Sequence, residues 1–153
     1  GPLSSVIKVT QFDTHSGQGT DEYSGHGRQL KLVDDIIAGY KEGLGDAWER
    51  SIILTLTEFG RTVKENGTWG TEHGYGSAGF LAGGAITKSR VITQWPGLSE
   101  NEQYDKRDLM STIDYRSVCA ACLENALGLD HDVIADKIFY TPKLPRVYDH
   151  IFS

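Results

Sequence analysis

Cysteine, excess positive charge and long apolar runs are what this chain has little of. Only Cys119 and Cys122 could pair, so no disulfide framework is implied. Lys and Arg number 15 against 21 Asp and Glu, a formal net charge of -6 with a pI near 5.3. That balance argues against a nucleic-acid groove and against an anionic membrane surface. No apolar run is long enough to span a bilayer, so no membrane insertion is expected, and no charged-then-apolar leader opens the chain. Internal repeats and low-complexity tracts are missing as well. With 153 residues, the simplest organisation is a single domain over 1–153, large enough to bury a core. Gly1-Pro2 reads as a protease scar, residues 1–5 as scar or tail, and Val6 opens an apolar strand abruptly.

Glycine is plentiful, at 18 residues, and clusters between Gly60 and Gly84. Such enrichment fits loops that turn sharply or approach a ligand closely. Val6 to Gln11 reads as a short strand, followed by a polar, Gly-rich loop from Asp13 to Gly27. From Arg28 to Leu44 the residues Leu30, Val33, Ile37, Tyr40 and Leu44 recur at three and four, predicting an amphipathic helix stopped by Gly43 and Gly45. Ser51 to Thr57 is nearly continuous in Ile, Leu and Thr, the pattern of a strand covered on both faces. A second polar loop runs from Glu58 to Tyr75, a third short strand from Ala78 to Leu81, and a strand or hairpin from Ala85 to Trp95. A second helix is predicted over Ile113 to Leu127, closed by Gly128, with a surface tail from Asp136 onward. This order predicts an α/β fold with a mostly parallel sheet, whose ligands sit outside the carboxyl ends of the strands.

Three strings concentrate the chemistry: Phe12-Asp13-Thr14-His15, Thr57-Glu58-Phe59-Gly60-Arg61-Thr62, and Gly70-Thr71-Glu72-His73-Gly74. Each sets a carboxylate with a histidine or an arginine beside glycine or a strand end. Those are the ligand types that divalent metals and anionic esters select. On the residues alone, Asp13 is better explained by capping its loop and His15 by solvation. Arg61 either holds a sulfate or phosphate bidentately or pairs with Glu58 or Glu65 to fix the loop. His26 is read as a loop histidine before the first helix. Cys119 and Cys122 lie on an apolar helical stripe and are read as core residues rather than a redox or zinc pair. His131 and His150 lack nearby partners and are read as surface residues. Trp48 is taken to anchor the turn from helix to strand.

These strings, together with Glu65-Asn66-Gly67, Trp95-Pro96-Gly97-Leu98, Arg107-Asp108-Leu109 and Thr112-Ile113-Asp114-Tyr115-Arg116, resemble the bacterial family catalogued as domain of unknown function 1501 (DUF1501). The resemblance runs through most of the chain. That family in turn looks like a branch of the alkaline phosphatase and sulfatase superfamily. The resemblance therefore implies a three-layer α/β/α sandwich, here incomplete and corresponding to the C-terminal part. It implies that Asp13, His15 and His73 ligate one divalent metal (zinc, manganese or calcium). Glu58 then stands where a second metal's Asp is expected, and Phe59 replaces that metal's His. Glu58 and Arg61 would line the substrate pocket. The superfamily's nucleophile belongs to an N-terminal portion with no counterpart here, so no catalytic nucleophile is found.

The function implied is that of a sulfatase- or phosphatase-like metal-dependent hydrolase domain, inactive alone. The alternative is a degenerate, non-catalytic module that binds an anionic glycan or a protein partner. A truncated sheet would be covered by self-association or by the N-terminal half. A periplasmic or cell-surface parent is expected by resemblance alone.

Overall fold

The structure is a computed structural model that describes residues 3–146 and 148–152. Gly1 and Pro2, read as a protease scar, lie outside the described residues. The chain forms two compact units. The first contains the chain up to Gly43, Leu56–Gly79 and Gln94–Thr112; the second contains Leu44–Thr55, Phe80–Thr93 and the chain from Ile113 on.

The expected α/β/α sandwich with a mostly parallel sheet does not form. Among the described residues the only sheets are two antiparallel pairs. In one, β1 (Ile53–Leu54) lies against β4 (Leu81–Ala82); in the other, β2 (Gly60–Arg61) lies against β3 (His73–Gly74). The physical reason lies in what the apolar runs pack against. Val6 and Ile7 are 97% and 53% exposed, so the first predicted strand is an extended segment outside any ladder. The run from Ser51 to Thr57, read as covered on both faces, contributes only two ladder residues, both half-buried. A short apolar run is compatible with a buried strand but does not name its partner.

In the first unit, α1 (Gly25–Leu44) begins three residues before the predicted start. Ser24 explains the difference, because its Oγ accepts from the Gly27 amide at 3.0 Å, and Asp21 Oδ1 accepts from the Tyr23 and Ser24 amides. His26, read as a loop residue, therefore stands in the first turn of α1, edge-on to Phe12. No residue of α1 is fully buried, and Leu30 and Leu32 are exposed. The β2–β3 ribbon is flanked by the segment around Asp108, which bridges Thr62 and whose neighbour Leu109 accepts from the Gly76 amide at 2.8 Å. Gly60 is required here: a Cβ on it would lie 1.8 Å from the Gly76 carbonyl oxygen.

The second unit is built around α2 (Tyr115–Leu127). Asp114 caps its start by accepting from the Arg116 amide at 2.9 Å, and Gly128, at φ 64°, ends it in the left-handed conformation. The buried face is small: Ala120 packs with Ile134, Ala135 and Leu144, while Ala121 packs with Tyr148 and Ile151. Leu144, Tyr148 and Ile151 belong to the segment expected to be a surface tail, and they are core residues instead. Two adjacent alanines let chain approach α2 on both sides, which a stripe count based on large residues does not reveal. Ile134 opens a π-helical turn (Ile134–Ile138) that continues α3 (His131–Val133). Cys122 is buried and Cys119 half-buried; burial pushes the Cys122 thiol up to about 12, which leaves it inert. Trp48 lies in the 3-10 turn Gly45–Arg50, its carbonyl accepting from the Ser51 and Gly84 amides. No helix among the described residues is long and apolar enough to cross a membrane.

Candidate metal centre

The site is assembled within the first unit by the β2–β3 ribbon and two loops. In the ribbon's register Arg61 faces His73, so both side chains leave one face. Phe59, two residues before Arg61, falls on that face too. Its ring stacks on the His73 imidazole with centroids 3.8 Å apart and planes 19° apart, and the Arg61 guanidinium lies 5.2 Å from the same ring. The phenylalanine that cannot ligate a metal thus orients a residue that can.

The loop after Gln11 brings Asp13 and His15 to His73. Asp13 Oδ1 lies 2.9 Å from His15 Nε2 and 2.9 Å from His73 Nε2, and the two Nε2 atoms are 3.2 Å apart. Among the described residues these three are the one group of His, Cys, Asp and Glu whose donor atoms cluster closely enough to share an ion. All three side chains are about half exposed, at 51%, 44% and 50%.

The surroundings set the donors. His15 Nδ1 lies 2.8 Å from Glu72 Oε2, a partner that would hold the ring proton on Nδ1 and leave Nε2, beside His73 and Asp13, as the ligating atom when a metal is bound. Glu72 is itself held by Asn66 Nδ2, which also donates to the His15 carbonyl at 2.8 Å. The Asn66 bond, followed by the one from His15, holds the Glu72 carboxyl below its usual range. Desolvation pushes the Asp13 carboxyl up, but hydrogen bonds from His73 and Arg61 outweigh it and hold it down. Both acids are thus presented as carboxylates.

Arg61 does not pair with Glu58 or Glu65. Its Nη2 donates to Asp13 Oδ1 at 2.7 Å and to the Phe12 carbonyl at 2.9 Å, and its Nη1 donates to the Thr71 carbonyl at 2.9 Å. One guanidinium therefore ties together the loop bearing Asp13, its own strand, and the segment leading to His73. Glu58 is exposed and makes no side-chain hydrogen bond or ion pair among the described residues. The Asp13–His15–His73 group is thus brought together, Arg61 joins it through Asp13, and Glu58 makes no hydrogen bond or ion pair with it among the described residues.

Asn66, Thr68, Gln18 and Phe59 complete the frame and are the contributors that sequence reasoning missed. Thr68 Oγ1 donates to the His15 carbonyl at 2.8 Å, and Gln18 Oε1 accepts from both Thr14 and Thr71. Asn66 Oδ1 accepts from the Thr68 and Gly70 amides, closing an Asx turn. The Asn66-Gly67 pair is the turn signal that pointed to it. Gly70 is fixed by close approach, since a Cβ there would lie 2.3 Å from the His15 carbonyl carbon.

The family model described as "Protein of unknown function (DUF1501)" matches residues 4–134. The chain belongs to the DUF1501 family. Every residue of the Asp13–His15–His73 group, and Glu72, Asn66 and Arg61 with it, lies inside that match. Among curated proteins and solved structures, none matches the chain.

The donor set fits a divalent ion. Two imidazoles and a carboxylate are ligands that zinc and its neighbours accept, with further positions left open. In a tetrahedral zinc site, bonds of about 2.0–2.1 Å place neighbouring donors about 3.3 Å apart. The observed 2.9–3.2 Å triangle is slightly tighter, the spacing of direct hydrogen bonds, so the three donors would move slightly apart to take an ion.

Proposed function

We propose that this DUF1501 chain holds a divalent metal on Asp13, His15 and His73 and supplies the metal centre of a hydrolase acting on phosphate or sulfate esters. The observation that carries the reading is the facing of two Nε2 atoms across 3.2 Å, with one carboxylate oxygen 2.9 Å from each. Asp13 Oδ1 and the two Nε2 atoms converge on one point, where a cation would replace the proton that His73 Nε2 otherwise donates. The Glu72 carboxylate keeps the His15 proton on the opposite side of the ring. When bound, a divalent ion would polarise an ester oxygen or acidify a bound water. Around it, Arg61 fixes the Asp13 carboxylate, Phe59 fixes the plane of His73, and Glu72 fixes His15. The ester class rests on the wider superfamily resemblance and is part of the proposal, as is the choice among zinc, manganese and calcium.

A second reading, a non-catalytic binding module, is favoured by a different observation. The three ligand side chains are about half exposed, so the site does not exclude water, and the nearby arginine is already committed to Asp13 and two carbonyls. An anion would find no free guanidinium there.

Two experiments separate these readings. Titration of the metal-stripped chain with zinc, manganese or calcium should raise the thermal midpoint by mass action, and His73→Ala should abolish the rise. A midpoint that none of the three ions moves, or that moves equally in His73→Ala, rejects the metal centre. Turnover of chromogenic phosphate or sulfate esters by a longer protein that carries this chain together with an N-terminal portion, dependent on the same metal and on His73, separates a hydrolase from a binding module. Tight metal binding with no turnover of either ester supports the second reading.

A further inference from the structure

His131 is not the unpartnered surface residue that the sequence suggested. Its side chain is 12% exposed, and both ring nitrogens meet acceptors. Nδ1 lies 2.7 Å from Glu124 Oε1 on α2, and Nε2 lies 2.9 Å from the backbone carbonyl oxygen of Leu144. A carbonyl oxygen cannot donate, so the Nε2 contact requires a proton on Nε2. The Nδ1 contact requires a second proton, shared with the Glu124 carboxylate. A neutral imidazole has only one proton, so either tautomer points a lone pair at an oxygen less than 3 Å away. The imidazolium form satisfies both acceptors.

The surrounding charges agree with that state. Glu124, 14% exposed, receives Arg146 from the C-terminal segment on its other oxygen, Oε2, at 2.7 Å. Among the described residues Arg146 is the facing cation that opposes a charged ring, and it pairs with the Glu124 carboxylate. On the histidine's own turn, Asp130 Oδ1 is occupied by the Asp132 and Val133 amides. On the following π-helical turn, Asp136 and Lys137 pair with each other at 2.6 Å. The Leu144 carbonyl, followed by Glu124, raises the His131 pKa above its ordinary value. What the ring holds is a core element, because Leu144 is 5% exposed and packs on Ala120, Ile134 and Ala135.

We propose that protonated His131 is a pH-operated latch that fastens the C-terminal segment, through the Leu144 carbonyl and the Glu124–Arg146 pair, to α2. Its sign follows from the raised pKa. The latch is closed below the ordinary histidine value, near 6.5, and opens as pH rises through the higher midpoint of the folded chain. On opening, the Leu144 carbonyl loses its charged donor, and the segment carrying Leu144 and Arg146 loosens from the helix. This device lies in the second unit and does not depend on the metal reading.

The test is NMR on the full 153-residue chain. Ring nitrogen shifts of His131 should show both nitrogens protonated at pH 6.5, with a midpoint above that value. The protection factor of the Leu144 amide, which donates to Thr141 at 2.9 Å, should fall about tenfold across that midpoint, the value of one charge-assisted hydrogen bond. In Glu124→Gln the His131 midpoint should drop toward the ordinary value. In His131→Gln the protection step should vanish. A neutral His131 ring at pH 6.5, or a Leu144 protection factor that stays level through the midpoint of the unmodified chain, overturns the latch. Both readouts come from the unmodified protein, so the result stands even where a variant fails to fold.

Discussion

Removing the Glu72 carboxylate isolates the feature that turns three nearby side chains into a metal site. In Glu72→Ala the His15 ring loses its 2.8 Å partner at Nδ1 and can place its proton on either nitrogen. The His15 backbone stays in place, because Asn66 and Thr68 still donate to its carbonyl at 2.8 Å. Loss of an outer partner of this kind costs about 10–100-fold in metal affinity. His15 and Glu72 are 44% and 49% exposed, so water replaces part of the lost bond and the lower end applies. The expected loss is about tenfold, or about 1.4 kcal/mol. In thermal terms, zinc at a hundredfold excess over Kd stabilises by about 2.7 kcal/mol, and a tenfold weaker Kd reduces that to about 1.4 kcal/mol. Glu72→Gln keeps an acceptor oxygen and should lose about threefold, within the range for neutral hydrogen bonds. Calorimetric zinc titration of the three proteins, with circular dichroism as the control for folding, reads these differences. A Kd unchanged within about twofold in a folded Glu72→Ala would falsify the claim that Glu72 sets the tautomer.

Other predictions concern the frame. Ile134 is fully buried at the centre of the α2 core, so Ile134→Ala should cost about 2–5 kcal/mol in a urea denaturation midpoint; a loss below about 1 kcal/mol would show that the core is elsewhere. Gly60→Ala forces a methyl group onto the Gly76 carbonyl oxygen and should cost about 1–3 kcal/mol while also weakening zinc binding, since it displaces the strand that carries Arg61. Equal stability and equal zinc affinity in that variant would refute the β2–β3 register. Asp114→Ala should cost about 1 kcal/mol at pH 7 through loss of the α2 cap. The Arg116 side chain holds the Asp114 carboxyl below its ordinary value, so its contribution is full above about pH 3.9 and fades as pH falls through the folded value. The stability difference between Asp114→Ala and the parent should therefore shrink as pH falls below about 3.9; a constant difference would contradict the assignment.

The legible parts of this molecule are local ones. Gly128 marked the end of α2, and the stripe from Leu30 to Leu44 marked α1, because helix periodicity and C-terminal glycine are written within a few residues. The sheet was not legible. Val6–Gln11 and Ser51–Thr57 carry β-branched residues, but strand propensity says nothing about which segment will pair, and the ladders that form are short and antiparallel. The convergence of Asp13, His15 and His73 was anticipated by resemblance, since their separations of 58 and 60 residues leave no periodic trace. Glu72 and Asn66 were within quoted strings, yet their role depends on which ring nitrogen they face. Arg61 shows the same limit: its residue type suggested an anion or a pairing with Glu58 or Glu65, and the carboxylate it pairs with, from its register opposite His73, is that of Asp13. His131 lacked a neighbour in sequence because its partners, Glu124 and Leu144, stand 7 and 13 residues away on other elements.

The most direct test of the central claim is zinc K-edge absorption on the chain loaded with one equivalent of zinc and dialysed. Asp13, His15 and His73 predict retained zinc in a shell of nitrogen and oxygen at about 2.0–2.1 Å, with the multiple scattering of two imidazoles. Zinc lost on dialysis, or a sulfur shell at about 2.3 Å that would point to Cys119 and Cys122, contradicts it.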